Sequence, residues 1–220
     1  MTTKDKILMV SLKLFLTQGY DNTTLSMIAD EVNIKKPSIY YHFKSKEDLL
    51  FDCIYLILNN LEEQIAHSIT NSVHPKDRLA SFFECILDFN ANLSTILEYD
   101  FDAPVNLILF FQMSANRFSE LSDRIDEYYK KISCFLKEII VEGQQKCLIK
   151  DTIHTDLTII DIISRIEGLI AISFVYKSID MNSIRKQLYE NLWSSLSNEN
   201  NLSAKKKLID YSKIGLGRKW

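Results

Sequence analysis

Apolar residues recur at helical spacing from the first residues of this chain onward. Ile7, Val10, Leu14 and Phe15 fall at i, i+3, i+7 and i+8, which is one face of a first helix. Gly19 is expected to end it in the left-handed conformation that glycine tolerates. Thr23 and Thr24 offer caps for a second helix, whose apolar set is Met27, Ile28 and Val32. After a short break at Asn33–Lys35, Pro37 sits in the first turn of a third helix, where its missing N–H costs nothing. That helix is predicted to run to about Phe43. Ser45, with Asp48 three residues on, has the form of a capping box. It opens a fourth helix with Leu50, Ile54, Ile57, Leu61 and Ile65 on one face, closed by His74 and Pro75.

The same periodicity continues. A fifth helix is expected over about 76–97, burying Leu79, Phe83, Ile86, Leu87 and Phe89. Pro104 marks the start of a short sixth, the apolar stretch Val105 to Met113. The seventh covers about 118–146 and stops at a break over 147–155. The eighth runs over about 156–177. The ninth begins near Asn182 and shows Ile184, Leu188, Leu192 and Leu196. No internal repeat and no convincing strand stands out. The fold class predicted is all-α, with nine to ten helices.

Composition supports that reading. Of 220 residues only 5 are glycine and 3 are proline, too few for the many turns of a sandwich, barrel or many-turned α/β sheet. The five glycines cannot assemble a phosphate-cradling loop. Hydrophobic residues at 46% and charged residues at 25% exclude a disordered chain. The net charge of −3 is unevenly spread. Residues 1–50 carry about +1, residues 51–200 about −9 and residues 201–220 about +5, so the acidity belongs to the middle alone.

The chemistry of enzymes is hard to find. Cys53, Cys85, Cys134 and Cys147 form no C-x-x-C and read as buried free thiols in apolar helical stretches. His42, His67, His74 and His154 form no H-E-x-x-H, and there is no G-x-S-x-G. No catalytic set, metal site or cofactor is expected. The start Met1-Thr2-Thr3-Lys4-Asp5-Lys6 is too charged for a secretory leader. The most apolar run, Leu157 to Val175, is interrupted by Asp161, Arg165 and Glu167, short of a membrane span. A cytoplasmic protein is the expectation.

A helix of about eight residues, a short turn and a second short helix have the dimensions of a helix-turn-helix. Such a motif brings the N-terminal side chains of its second helix to base edges in the major groove of double-stranded DNA. Here those residues are Lys36, Pro37 and Ser38, followed by Tyr40, Tyr41 and His42. Lys36 can donate to guanine or to a phosphate, and Ser38 to either. Tyr41 and His42 suit backbone oxygens. Lys46, in the first turn of the fourth helix, and Thr24 and Ser26, opening the second, are candidates for further phosphates. In the competing reading the front helices are purely structural, in a helical enzyme or a small-molecule or lipid-binding protein.

The run Thr24-Leu25-Ser26-Met27-Ile28-Ala29, then Val32-Asn33-Ile34, then Ser38-Ile39-Tyr40-Tyr41-His42-Phe43-Lys44-Ser45-Lys46-Glu47-Asp48-Leu49-Leu50 resembles the N-terminal signature of the TetR family of bacterial transcriptional regulators. The aromatic stretch Tyr40–Phe43 followed by Lys46-Glu47 is the specific part. The resemblance covers about residues 5–55. It implies a homodimer with an N-terminal DNA-binding domain and a C-terminal ligand-sensing domain, a repressor released from its operator by a small molecule. Carried over by position, Lys36, Pro37 and Ser38 fall where the family contacts bases. Tyr40 and Tyr41 fall at bases or backbone, and His42 and Lys46 at phosphates. One departure is Lys35, which stands where a capping Ser or Thr is common.

The domains expected are therefore 1–48 for DNA, 49–198 for sensing and dimerisation, and 199–220 as a basic tail containing Lys205, Lys206 and Lys207. The resemblance puts the dimer interface on the last two helices, whose densest apolar faces offer Ile162, Ile166, Leu169, Ile170, Ser173, Leu188, Leu192 and Trp193. Gly168 and Ala171 there are small enough for close approach. The plentiful aromatics Phe82, Phe83, Phe89, Tyr99, Phe101, Phe110, Phe111 and Tyr128 suggest a pocket for an apolar effector, and each is also an ordinary core residue by spacing. The acidic stretch Glu98–Asp102 suits a cationic ligand or a solvated loop. Asp161 and Arg165, four apart, are expected to pair.

Overall fold

A computed structural model describes residues 1–69, 73–100, 105–176, 178 and 180–198, without the side chains of 69, 181 and 182. The basic tail from 199 onward, Phe101 and the end of the acidic stretch lie outside the described residues. Ten helices are present among those described. They are α1 (Thr3–Gln18), α2 (Leu25–Val32), α3 (Lys36–Tyr40), α4 (Lys46–Ile69), α5 (Pro75–Ala91), α6 (Leu93–Ile96), α7 (Leu107–Arg117), α8 (Ser119–Gln145), α9 (Thr155–Val175) and α10 (Met181–Leu196). Apart from these there is one isolated antiparallel bridge, Ile149 with Ser197. No described helix is long and apolar enough to cross a membrane.

Local chemistry sets the boundaries. Thr2 and Asp5 form a reciprocal capping box on α1, each side chain bonding the other's backbone N–H. Gly19 ends the helix at φ 85° and ψ 156°, a positive φ as expected but an extended ψ in place of the left-handed one. Asn33 ends α2 in the left-handed region, at φ 59° and ψ 47°. The predicted fifth helix is interrupted at Asn92, whose backbone leaves the helical region at φ −116° and ψ 25° and whose side chain bonds back to the Asp88 carbonyl at 3.0 Å. The start expected at Pro104 shifts to Leu107, because Asn106 caps α7 by accepting the Leu109 N–H at 3.0 Å.

The chain packs as two units, and α4, α5 and α8 contribute residues to both. The first comprises Met1–Ile65 and Asp88–Tyr129. Within it α1 packs on α2 and α2 on α3, and Ile7, Leu12, Phe15, Ile28, Ile39 and Leu50 are buried. The second comprises Ala66–Leu87 and the described part of Lys130–Trp220. Its core includes Phe82, Leu136, Ile140, Ile162, Ile166 and Leu192. Gly143 there is required by packing. A Cβ at that position would lie 2.5 Å from Ile149 Cδ1.

Candidate nucleic-acid interface

The front of the first unit is built around a very short helix. Thr24 caps α2 through the Met27 N–H at 3.2 Å, and the Asn33 turn reverses the chain into α3. Lys35 occupies the N-cap of α3 and makes no side-chain capping bond. Pro37 fills the first turn, where no donor is needed. The His42 and Phe43 N–H groups both close on the Ile39 carbonyl at 2.9 Å, so the chain keeps turning helically to Phe43.

Two residues anchor this segment. Ile39 and Phe43 are buried. Most of the residues between and before them face outward. Lys36, Pro37 and Ser38 are exposed, Tyr40 is 52% exposed and Tyr41 is 87% exposed. Thr24 and Ser26 are exposed too, while His42 is half-buried with its ring edge-on to Tyr41 at 5.1 Å. A tyrosine left almost wholly in water contributes little to the fold, and two adjacent ones make a surface with donors and stacking faces.

Lys46 is placed differently. Its ammonium donates to the carbonyl oxygens of Tyr20 at 2.8 Å and Thr23 at 2.9 Å, and lies 4.1 Å from the Tyr20 ring centroid. Two of its three N–H groups thus hold the α1–α2 turn, and one is left for another acceptor. The guanidinium of Arg117 lies 4.9 Å from the Tyr20 ring centroid and bonds Asp21 at 2.8 Å. Phe118 packs edge-on to Tyr20 at 5.6 Å. Partial burial raises the Tyr20 phenol above its usual range, with Arg117 acting in the opposite direction. This cluster went unread in the sequence. The signal available was an aromatic residue directly after the glycine that ends α1.

The capping box at Ser45 takes an altered form. Ser45 accepts the Asp48 N–H at 3.0 Å, but the Asp48 carboxylate reaches back to the Lys44 N–H and not to that of Ser45.

The proposed sensor residues are divided between the units. Phe82 and Phe83 lie in the second, while Phe89, Tyr99, Phe110, Phe111 and Tyr128 lie in the first. All but Tyr99, which is half-buried, are buried. Phe82 packs on Phe135 at 5.5 Å and Phe83 on Tyr189 at 5.9 Å, as core aromatics do. The second unit also holds an open cleft of about 610 Å³, walled mainly by charged side chains with Tyr189 among them and none of the other named aromatics. Lys76 pairs there with Glu190 at 3.4 Å and Arg185 with Glu84 at 3.1 Å. Tyr189 donates its hydroxyl to the Lys76 carbonyl, and burial raises that phenol far above its usual range.

The dimer residues need a correction on burial. Ile162, Ile166, Leu169, Ile170, Leu192 and Trp193 are buried within the chain's own second unit, so a second chain cannot reach them. Ser173 is half-buried and donates to the Ile170 carbonyl, and Leu188 is at the margin of exposure. The apolar residues that α9 presents to solvent are others. Leu157, Ile160 and Val175 are 68%, 61% and 82% exposed, with Ile172 also exposed. Gly168 and Ala171 share that exposed face, and nothing within this chain comes within 4 Å of a Cβ built at Gly168. Asp161 and Arg165 pair at 2.9 Å, as their spacing predicts. Among the described residues no cluster of His, Cys, Asp or Glu could hold a metal ion.

Three comparisons bear on this arrangement. Residues 7–53 match the family model for bacterial regulatory proteins of the tetR family. The biofilm operon icaADBC HTH-type negative transcriptional regulator IcaR of Staphylococcus aureus is 32% identical over 136 residues, covering 61% of this chain and 70% of that protein. Among solved structures, a TetR-family transcriptional regulator from Cytophaga hutchinsonii superposes with a TM-score of 0.72 at 18% identity, over 90% of this chain and 96% of that one. AibR, solved in complex with isovaleryl coenzyme A and operator DNA, superposes with a TM-score of 0.69 at 20% identity, over 87% and 98%.

Proposed function

The chain belongs to the TetR family of bacterial regulatory proteins, and from that premise we propose how it works as a DNA-binding transcriptional regulator. Residues 1–48 read an operator, 49–198 sense a small molecule and dimerise, and the effector releases the protein from DNA. The sign is repression, as in the name of its relative IcaR. It acts in the cytoplasm, where the bacterial DNA lies.

The observation that carries this reading is the outer face of α3. Lys36, Pro37, Ser38, Tyr40 and Tyr41 are exposed together while Ile39 alone within the helix is buried. A helix of five residues spans about 7.5 Å, and with the turn to Phe43 about 12 Å, the width of a major groove. Lys36 and Ser38 then meet base edges. Tyr40, Tyr41 and His42 meet backbone or bases, and Thr24, Ser26 and the remaining N–H of Lys46 meet phosphates.

A two-fold dimer pairs with a two-fold site. The surface proposed for it is the exposed face of α9, where Leu157, Ile160, Ile172 and Val175 stand around Gly168 and Ala171. Isolated apolar residues on a surface need no explanation, but four large ones on one helix face with two small residues between them mark a partner. Selection of bound duplexes from a random library tests the whole reading. The expected result is an inverted repeat. Enrichment of no sequence, by a chain that light scattering finds folded and dimeric, would overturn it.

A further inference from the structure

Exposed positive charge on the front unit is not confined to the N-terminal end of α3. Lys36 stands at the N-terminal end of α3. At the opposite end two other lysines bracket Phe43. Lys44 follows it directly in sequence and is exposed. Lys4 comes from α1, forty residues earlier, and is also exposed. It precedes Ile7, Ser11 and Leu14 by three, seven and ten positions, which places its stem on the inward stripe of α1. Its ammonium accordingly emerges over the Phe43 ring, 5.5 Å from the centroid.

The acids nearby are turned to other work. The Asp5 carboxylate accepts the Thr2 N–H at 2.8 Å, which with the Thr2 hydroxyl holds it below its usual pKa. The Asp48 carboxylate accepts the Lys44 N–H at 3.0 Å. Neither lysine ammonium makes an ion pair among the described residues. Both cations therefore remain for a partner on the surface that carries Tyr41 and His42.

We infer that Lys4 and Lys44 form a phosphate clamp at the C-terminal end of α3, gripping the DNA backbone on the wall of the groove opposite to the one nearest Lys36. The inference rests on the DNA-reading role of α3. Its physical basis is length. A helical segment of about 12 Å laid across a groove of about 12 Å brings its two ends to the two backbones, and each end here carries positive charge. The cations at the far end include one from α1, so α1 takes part in fixing the angle at which α3 enters. Such contacts position the protein and carry no sequence information of their own.

The test is the salt dependence of binding, on a duplex enriched by in-vitro selection against the full-length wild-type chain. Each phosphate contact adds about 0.9 to the slope of log affinity against log salt. The K4Q/K44Q chain is expected to lose about 1.8 of slope per bound protomer. Between about 50 and 200 mM salt this makes its affinity fall about 12-fold less per protomer than the wild type's. Its preferred sequence stays the same, and K4R/K44R restores the slope. An unchanged slope overturns the clamp, and so does a changed sequence preference. If K4Q loosens the packing on Phe43, seen as a lowered melting temperature, K44Q alone decides, with an expected loss of about 0.9. A wild-type chain that enriches no sequence removes the α3 reading itself. Enrichment with an unchanged K4Q/K44Q slope removes only the clamp.

Discussion

Two helices of this molecule turn to solvent a face that the fold does not need, and the two faces differ in kind. The outward side of α3 carries an ammonium, a hydroxyl and two tyrosines. The outward side of α9 carries leucine, isoleucine, valine, glycine and alanine, with Ser164 and the Asp161–Arg165 pair beside them. Neither composition is explained by packing within the chain. The polar face suits a partner made of hydrogen-bond acceptors and negative charge. The apolar face suits another protein surface, and Gly168 lets that surface come close. Chemistry that the fold leaves outside identifies the partner more directly than chemistry it buries.

Blanking either face should remove one partner and spare the other. The largest effect is expected from Lys36→Ala with Tyr41→Ala. Both side chains are exposed, so stability should stay within about 0.5 kcal/mol, while operator affinity falls a hundredfold or more, at roughly 1–3 kcal/mol per contact. Fluorescence anisotropy and thermal melting measure the two. Next is Ile160→Asp on α9. A charge within an apolar helix contact should convert dimer to monomer by light scattering, leave the helical spectrum intact, and weaken operator binding roughly tenfold or more by uncoupling the two half-sites. A dimer unaffected by this change would move the interface elsewhere.

Smaller changes sharpen the contrast. Thr24→Ala removes the cap of α2 and, with it, a candidate phosphate contact. It should cost about 1 kcal/mol of stability and lower DNA affinity severalfold. In the second unit, Glu142 accepts Lys146 and Arg78, each at 2.6 Å, and these partners, Lys146 first, hold its carboxyl below the usual range. A lowered pKa stabilises the fold above the unfolded value and is lost as pH falls through the folded one. Glu142→Gln should therefore destabilise at neutral pH by at most about 1 kcal/mol, and the difference from wild type should vanish as pH drops below the carboxylate range. Melting curves at several pH values would show it, with no effect on DNA affinity beyond that loss.

The sequence made the two faces unequally legible. The α3 segment is short, local and chemically distinctive, so Lys36 to Tyr41 could be named without knowing what surrounds them. Its buried anchors, Ile39 and Phe43, follow from the same four-residue spacing. The α9 segment is apolar nearly all round. Ile162 and Ile166 share one side and Leu157 and Ile160 another, and hydrophobicity alone does not separate core from contact surface. That is why the densest apolar residues suggested an interface and proved to be interior. The aromatic set is ambiguous for a similar reason. Phe82 and Phe110 are both buried, in different units, and no periodicity records which unit a helix joins. The inner role of Lys46 was hidden because its acceptors, the carbonyls of Tyr20 and Thr23, lie more than twenty residues away.

Whether the outer face of α3 reads DNA sequence is decided by comparing what two chains select. Wild type and Lys36→Met, each full-length, are offered the same random duplex library. The prediction is one inverted repeat for both, with preference relaxed in the variant at a single symmetric pair of positions. An identical preference at every position, or no repeat from the wild type, would contradict it.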